Sequence, residues 1–174
     1  ARDISELVAT NERLITSEAN YQRLVTHSPE LVGVLDLEGN VVEINDHGAS
    51  ILGLSAEQMI GQPVSRYVHQ HDLPALQQGV ESLASQATDR FDMELRVVRT
   101  DGEERWVRCT LVAIRGETGV TGIHGIARDV TDVILRRERM STLYSVMDSL
   151  DQAVSLSELE TDRTLYRNRS WARL

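Results

Sequence analysis

Few residues in this chain have the type and spacing that chemistry needs. Ser55 sits in Gly53-Leu-Ser-Ala-Glu57, which lacks the second glycine of a nucleophile elbow and has no base set to activate it. Its hydroxyl is expected to cap a turn through Glu57. The run Gly119-x-x-Gly-x-x-Gly125 falls inside an apolar, β-rich stretch instead of opening a helix, so it reads as close packing or a bulge, not a phosphate cradle. His71-Asp-Leu-Pro74 has a superficial likeness to a phosphoaccepting histidine site. Asp72 and Pro74, however, explain themselves as helix-start residues, which leaves His71 a solvated or capping side chain. Cys109 is the single cysteine, so neither an internal disulfide framework nor a multi-cysteine metal cage can form, and a buried free thiol behaves as a small hydrophobe. No magnesium carboxylate pair or kinase signature is present, so no catalytic residue, metal site or enzymatic activity is expected of this stretch. Aromatic residues make up 4% of the chain. That leaves Tyr67, Phe91 and Trp106, with His69 nearby in sequence, as the candidate ligand pocket, although Trp106 also suits core or interface.

The elements that must position these groups can be read from periodicity. Leu7, Leu14 and Tyr21 recur every seven residues in a helix from 3 to about 25, which Ser28-Pro29 stops. Residues 31–36 and 41–45 are β-rich and are joined through Gly39 and Asn40, which tolerate positive φ, so a hairpin is expected. Short helical pieces follow, punctuated by Gly48, Gly53 and Gly61. A longer helix is then expected to reach about Ala87, with Asp72 as N-cap and Pro74 in its first turn. Phe91, Met93, Leu95 and Val97 alternate with polar residues, residues 100–103 turn the chain, and 105–114 return. In that return strand Val107, Cys109, Leu111 and Ala113 share one side, and Trp106, Val112 and Ile114 the other, so both faces need cover. The middle helices can supply one cover and the N-terminal helix or a dimer partner the other. Residues 120–128 complete a five-stranded antiparallel sheet in an α+β domain.

Size and charge narrow the rest. The 174 residues are 41% hydrophobic, enough for one ordinary domain with flanking helices. A net charge of −9 argues against a nucleic-acid surface. No apolar run approaches a bilayer span and the N-terminus carries no signal-peptide core, so a cytoplasmic segment without membrane contact is expected, any anchor lying elsewhere.

Residues from about 20 to 132 resemble a PAS domain. The likeness lies in Asp36-Leu-Glu-Gly-Asn40 with Asn45 following, Ile51-Leu-Gly-Leu-Ser-Ala-Glu-Gln-Met-Ile-Gly61 and His69-Gln-His-Asp72. It continues in Arg99-Thr-Asp-Gly-Glu103 before Trp106 and in Gly125-Ile-Ala-Arg-Asp-Val-Thr-Asp132, all in order. A weaker likeness to the first hairpin of another PAS domain follows in Asp151-Gln-Ala-Val-Ser-Leu and Thr164-Leu-Tyr-Arg-Asn168. The resemblance implies a signalling helix over 1–27, a PAS sensory domain over 28–130, a linker helix over 131–150 and the start of a second repeat over 151–174. It also implies a PAS-like sheet with short helices on one face, flanked by amphipathic coiled-coil-type helices. Family members that bind haem commonly hold it from the long central helix, which has no histidine here, so haem is not expected beyond a residual role for His69 or His71. Light-sensing relatives carry their reactive cysteine on the short helices, where this chain has none. A non-covalent flavin or another small molecule is left open, and no cofactor is singled out.

The resemblance also gives Asp129-Val-Thr131 a role. In the family this triplet joins the last strand to the output helix, and its Asp and Thr can bond local backbone or a charged neighbour such as Arg128, while Thr131 or Asp132 can satisfy the first free amides of the helix. Beyond it, Val133, Met140 and Met147 form one heptad row and Arg136, Leu143 and Leu150 the next, a seam that wants a partner helix. Leu7 and Leu14 supply the corresponding seam at the N-terminus. The expected role is a homodimeric sensor that relays a signal through its flanking helices to an output domain in the same protein, first of all a histidine kinase. A cyclic-di-GMP cyclase or phosphodiesterase module, a ligand-free dimerisation spacer and a cofactor-bound redox or gas sensor are the alternatives.

Overall fold

The computed structural model of the chain describes residues 15–117, 119–159, 161 and 163–173. Two compact units divide between Val130 and Thr131. The first opens with helix α1, helical over 15–26 among the described residues; Leu7 and Leu14 lie outside them. The chain turns at Ser28-Pro29 and enters β1 (Leu31–Leu35), which pairs antiparallel with β2 (Val41–Ile44). Asp36 organises that hairpin: its carboxylate accepts from the Glu38 and Asn40 amides at 3.0 and 2.7 Å and from Asn40 Nδ2 at 2.9 Å. The Asn40 side chain, ahead of the backbone donors, holds the Asp36 carboxyl below its ordinary value. In this turn the positive φ falls on Gly39 alone, at 86°, and not on Asn40.

Helices α2 (Asp46–Ile51) and α3 (Ala56–Met59), a 3-10 turn (Val64–Tyr67) and α4 (Leu73–Ala84) lead to three long strands, β3 (Arg90–Val98), β4 (Glu104–Gly116) and β5 (Gly119–Asp129). The sheet order is β2-β1-β5-β4-β3, all antiparallel. Met59, Leu76, Leu83, Leu95, Leu111 and Ile123 meet in the core between the helices and the inner face of the sheet. Three local expectations need correction. Ser55 does cap α3, but its capping-box partner is Gln58, because the third helical residue reaches back to the cap and Glu57 does not. Helix α4 stops at Ala84 because the Ser85 hydroxyl bonds the Glu81 carbonyl and Gln86 takes φ of 61°. Asp72 stands at the N-cap position, yet its carboxylate makes no capping bond, having been drawn to Arg96.

The outer face of the sheet is less covered. Val34, Trp106, Ile114 and Ile126 are half-buried and Val112 is 38% exposed. Helix α1 leaves Ile15, Tyr21 and Leu24 facing solvent.

The second unit begins with α5 (Thr131–Ser149) and continues into a hairpin of β6 (Ser155–Ser157) and β7 (Thr164–Arg167), then a 3-10 turn (Arg169–Arg173). The Tyr166 ring lies 4.8 Å from that of Tyr144, fastening the hairpin to α5. Along α5, Val133 and Leu143 are 63% and 54% exposed, Met140 is exposed and Met147 half-buried. No helix among the described residues is long and apolar enough to cross a membrane.

Candidate functional site

The first unit encloses a cavity of about 90 Å³ between its helices and the sheet. Leu35 and Ile44 line it from the first hairpin, Met59, Tyr67 and Leu76 from the helical side, and Leu95, Val107 and Cys109 from the long strands, and the atoms facing it are apolar. Two glycines shape its floor. Gly33 of β1 and Gly125 of β5 stand directly opposite each other across the strand pair and both border the cavity. A Cβ at Gly33 would fall 2.7 Å from the Glu43 carbonyl oxygen, so that position must stay bare, whereas one at Gly125 would meet Leu111 at 3.4 Å. The cavity has room for a ligand of a few non-hydrogen atoms. It fits neither a flavin nor a haem, whose multi-ring bodies need several times this volume and polar groups to meet their heteroatoms. Burial, and then the negative charge of Asp92, push the Cys109 thiol up to about 12, so it is a neutral apolar wall and not a nucleophile.

Of the four residues read as pocket candidates, Tyr67 lines the cavity and the other three do not. Phe91 faces the core but packs across Gly79 of α4. Trp106 falls on the opposite face of the sheet, as strand alternation demands of a neighbour of buried Val107, and the Arg96 guanidinium sits 5.3 Å from its ring centre. His69 points away from the cavity. Its Nδ1 accepts from the His71 amide at 3.3 Å and its Nε2 lies 3.5 Å from the Glu104 carboxylate, an arrangement that suits a hydrogen on Nε2. The His69 and His71 rings meet edge-on at 4.9 Å.

Sequence reading missed the strongest polar tie in this unit. Asp72, at the start of α4, accepts from the Arg96 amide, Nε and Nη2 at 2.9, 2.9 and 3.0 Å, pinning the helix to β3. The Arg96 side chain, ahead of its backbone and charge contributions, holds the Asp72 carboxyl below its ordinary value. No local signal joins residues so far apart; the hint was an arginine on the polar side of an alternating strand.

At the end of β5 the three junction residues part company. Arg128 bonds Glu30, just ahead of β1, through Nε at 2.8 Å and Nη2 at 2.7 Å. Asp129, expected to bond local backbone or a charged neighbour such as Arg128, lies 3.7 Å from Arg105 of β4, a charged neighbour other than Arg128. The reason is alternation, which sends consecutive side chains to opposite faces. Val130 is buried, donates its amide to the Trp106 carbonyl at 2.8 Å, and is followed at once by Thr131, the first residue of α5. One residue therefore separates strand from helix.

Comparison with known proteins agrees with this architecture. Over 160 residues the chain is 24% identical to the methanogenesis regulatory histidine kinase FilI of Methanothrix harundinacea (strain 6Ac), a match that takes in 85% of this chain and 18% of that protein. Among solved structures it is similar to the PAS domain of a protein from Colwellia psychrerythraea (28% identity, TM-score 0.60, 66% of this chain and 97% of that one). It is also similar to the PAS domain of an HTR-like protein from Haloarcula marismortui (24% identity, TM-score 0.58, 70% and 98%). The family model for the PAS fold matches residues 19–130, and with the five-stranded sheet and the helices over its inner face in hand, the chain belongs to the PAS family of sensory domains.

Proposed function

We propose that this chain is the sensory part of a dimeric histidine-kinase-type signalling protein, in which the state of the sheet is passed through Asp129, Val130 and Thr131 into α5 and on to an output domain. The observation that carries this reading is the single-residue joint: β5, a strand that lines the cavity, ends at Asp129 and α5 begins at Thr131, with Val130 alone between them. The exposed Val133 and Met140 of one heptad row and Leu143 of the next support a partner helix from a second copy, since water is a poor neighbour for such a stripe. The kinase context is supported by likeness to FilI, of whose length this chain spans 18%. The ligand that suits the cavity is small, uncharged and apolar, because a charged group there would lose its hydration and meet no compensating polar atom. Native mass spectrometry of the chain tests both halves of the reading. It is expected to report a dimer and, after exposure to short alcohols or similar small molecules, a bound adduct. A monomer at micromolar concentration that takes up nothing would overturn it.

A further inference from the structure

Two buried asparagines share three corresponding side-chain hydrogen bonds in the two units. Asn45 follows β2. Its Oδ1 accepts from the Val32 amide of β1 at 3.0 Å and from the Gly48 amide at 3.1 Å. Its Nδ2 donates to the Val25 carbonyl at the end of α1 at 3.0 Å and to the Glu30 carbonyl just before β1 at 2.9 Å. Asn168 follows β7. Its Oδ1 accepts from the Val154 amide at 2.8 Å, and its Nδ2 donates to the Met147 carbonyl in the last turn of α5 at 2.9 Å and to the Gln152 carbonyl at 2.8 Å. The backbone repeats as well: the Asn45 amide donates to Val32 O at 2.9 Å and the Asn168 amide to Val154 O at 3.1 Å. In each unit the order along the chain is helix-end carbonyl, pre-strand carbonyl, an amide inside or one residue ahead of the first strand, asparagine.

A side-chain amide suits this position for a plain reason. The last carbonyls of a helix have no donor within the helix, and a strand amide beside them needs an acceptor; only a group with both an oxygen and an NH₂ on one short stem serves both. We propose that Asn45 and Asn168 are one device used twice, a clamp that fixes the last turn of a helix to the strand that follows it. Residues 131–173 are then the opening of a second copy of the fold, with α5 standing where α1 stands in the first. Helix α5 thus serves two sheets: it continues from β5 at one end and is gripped by the β6–β7 hairpin at the other. The clamp needs only these hydrogen bonds and stands without the relay proposed above.

Residue-resolved amide hydrogen exchange on the 174-residue chain tests it, using Asn→Asp, which keeps the acceptor and loses the donor, beside Asn→Ala, which loses both. Asn45→Asp should leave Val32 and Gly48 slow while His27 and Ser28, at the end of α1, exchange about tenfold faster. Asn168→Asp should leave Val154 slow, speed Leu150 about tenfold and leave the first unit unchanged. The alanine variants should release the strand amides too. Should Asn45→Ala fail to fold, the aspartate variants and the second unit still decide the matter. Unchanged exchange at the helix ends, or a uniform rise across the unit, would overturn the clamp.

Discussion

Gly33 and Gly125 face each other across β1 and β5, yet their substitution should have opposite effects. A methyl at Gly125 enters the cavity at ordinary contact distance from Leu111, whereas one at Gly33 collides with the Glu43 carbonyl. Gly125→Ala is therefore expected to stabilise the fold by about 0.5–1 kcal/mol through reduced unfolded-state entropy, and Gly33→Ala to destabilise it by about 1–3 kcal/mol, both read from urea midpoints. Asp72 gives a pH-dependent test. Its folded value lies below the ordinary 3.8, so the stability it contributes is complete above that value and is lost as pH falls through the lowered one. Asp72→Asn should cost about 1.5–3 kcal/mol at neutral pH, since neither partner is more than a quarter exposed, and the variant should lose less further stability than the parent on acidification below about pH 4. An acid limb of equal steepness in both proteins would mean that other carboxylates dominate.

At the scale of elements, what was legible followed from short-range signals. Period-2 alternation fixed β3 and β4 and put Trp106 on the face opposite Val107, and Gly39 marked the first hairpin. Aromatic residues were nonetheless taken as pocket candidates by chemical type, while the cavity proved to be lined mainly by aliphatic side chains around a glycine pair, which leaves no composition signal. Asp72 misled because a helix-start aspartate and a long-range ion-pair partner look alike until the register of β3 against α4 is known. On α5 the expected heptad seam falls on side chains exposed at Val133, Met140 and Leu143, and Arg136 shares a row with Leu143 and keeps the stripe imperfect. Placing charges within it, as Met140→Glu with Leu143→Glu, should raise the dimer dissociation constant by about 100-fold or more in sedimentation equilibrium while the sheet's circular dichroism stays unchanged. A dimer of undiminished affinity would move the interface to the N-terminal helix around Leu7 and Leu14.

In the whole molecule, a sheet with a small apolar hollow is followed by a helix that starts one residue after its central strand. A strand that shifts when the hollow is filled has few ways to absorb the change, because Val130 is buried and bonded to Trp106, and Arg128 and Asp129 are tied to Glu30 and Arg105. On the proposed relay the change would be expressed at α5, where two packings close in energy would serve as the switch. The most direct measurement is electron–electron spin resonance between labels at Ser145→Cys in the two protomers, in a Cys109→Ser background that leaves one labelling site per chain, since Cys109 is only half-buried. Gly125→Val, which fills the hollow, should shift the inter-label distance distribution relative to the parent in the labelled dimer. The same distribution with the hollow filled and unfilled, in a dimer that remains intact, would contradict the coupling of sheet to helix.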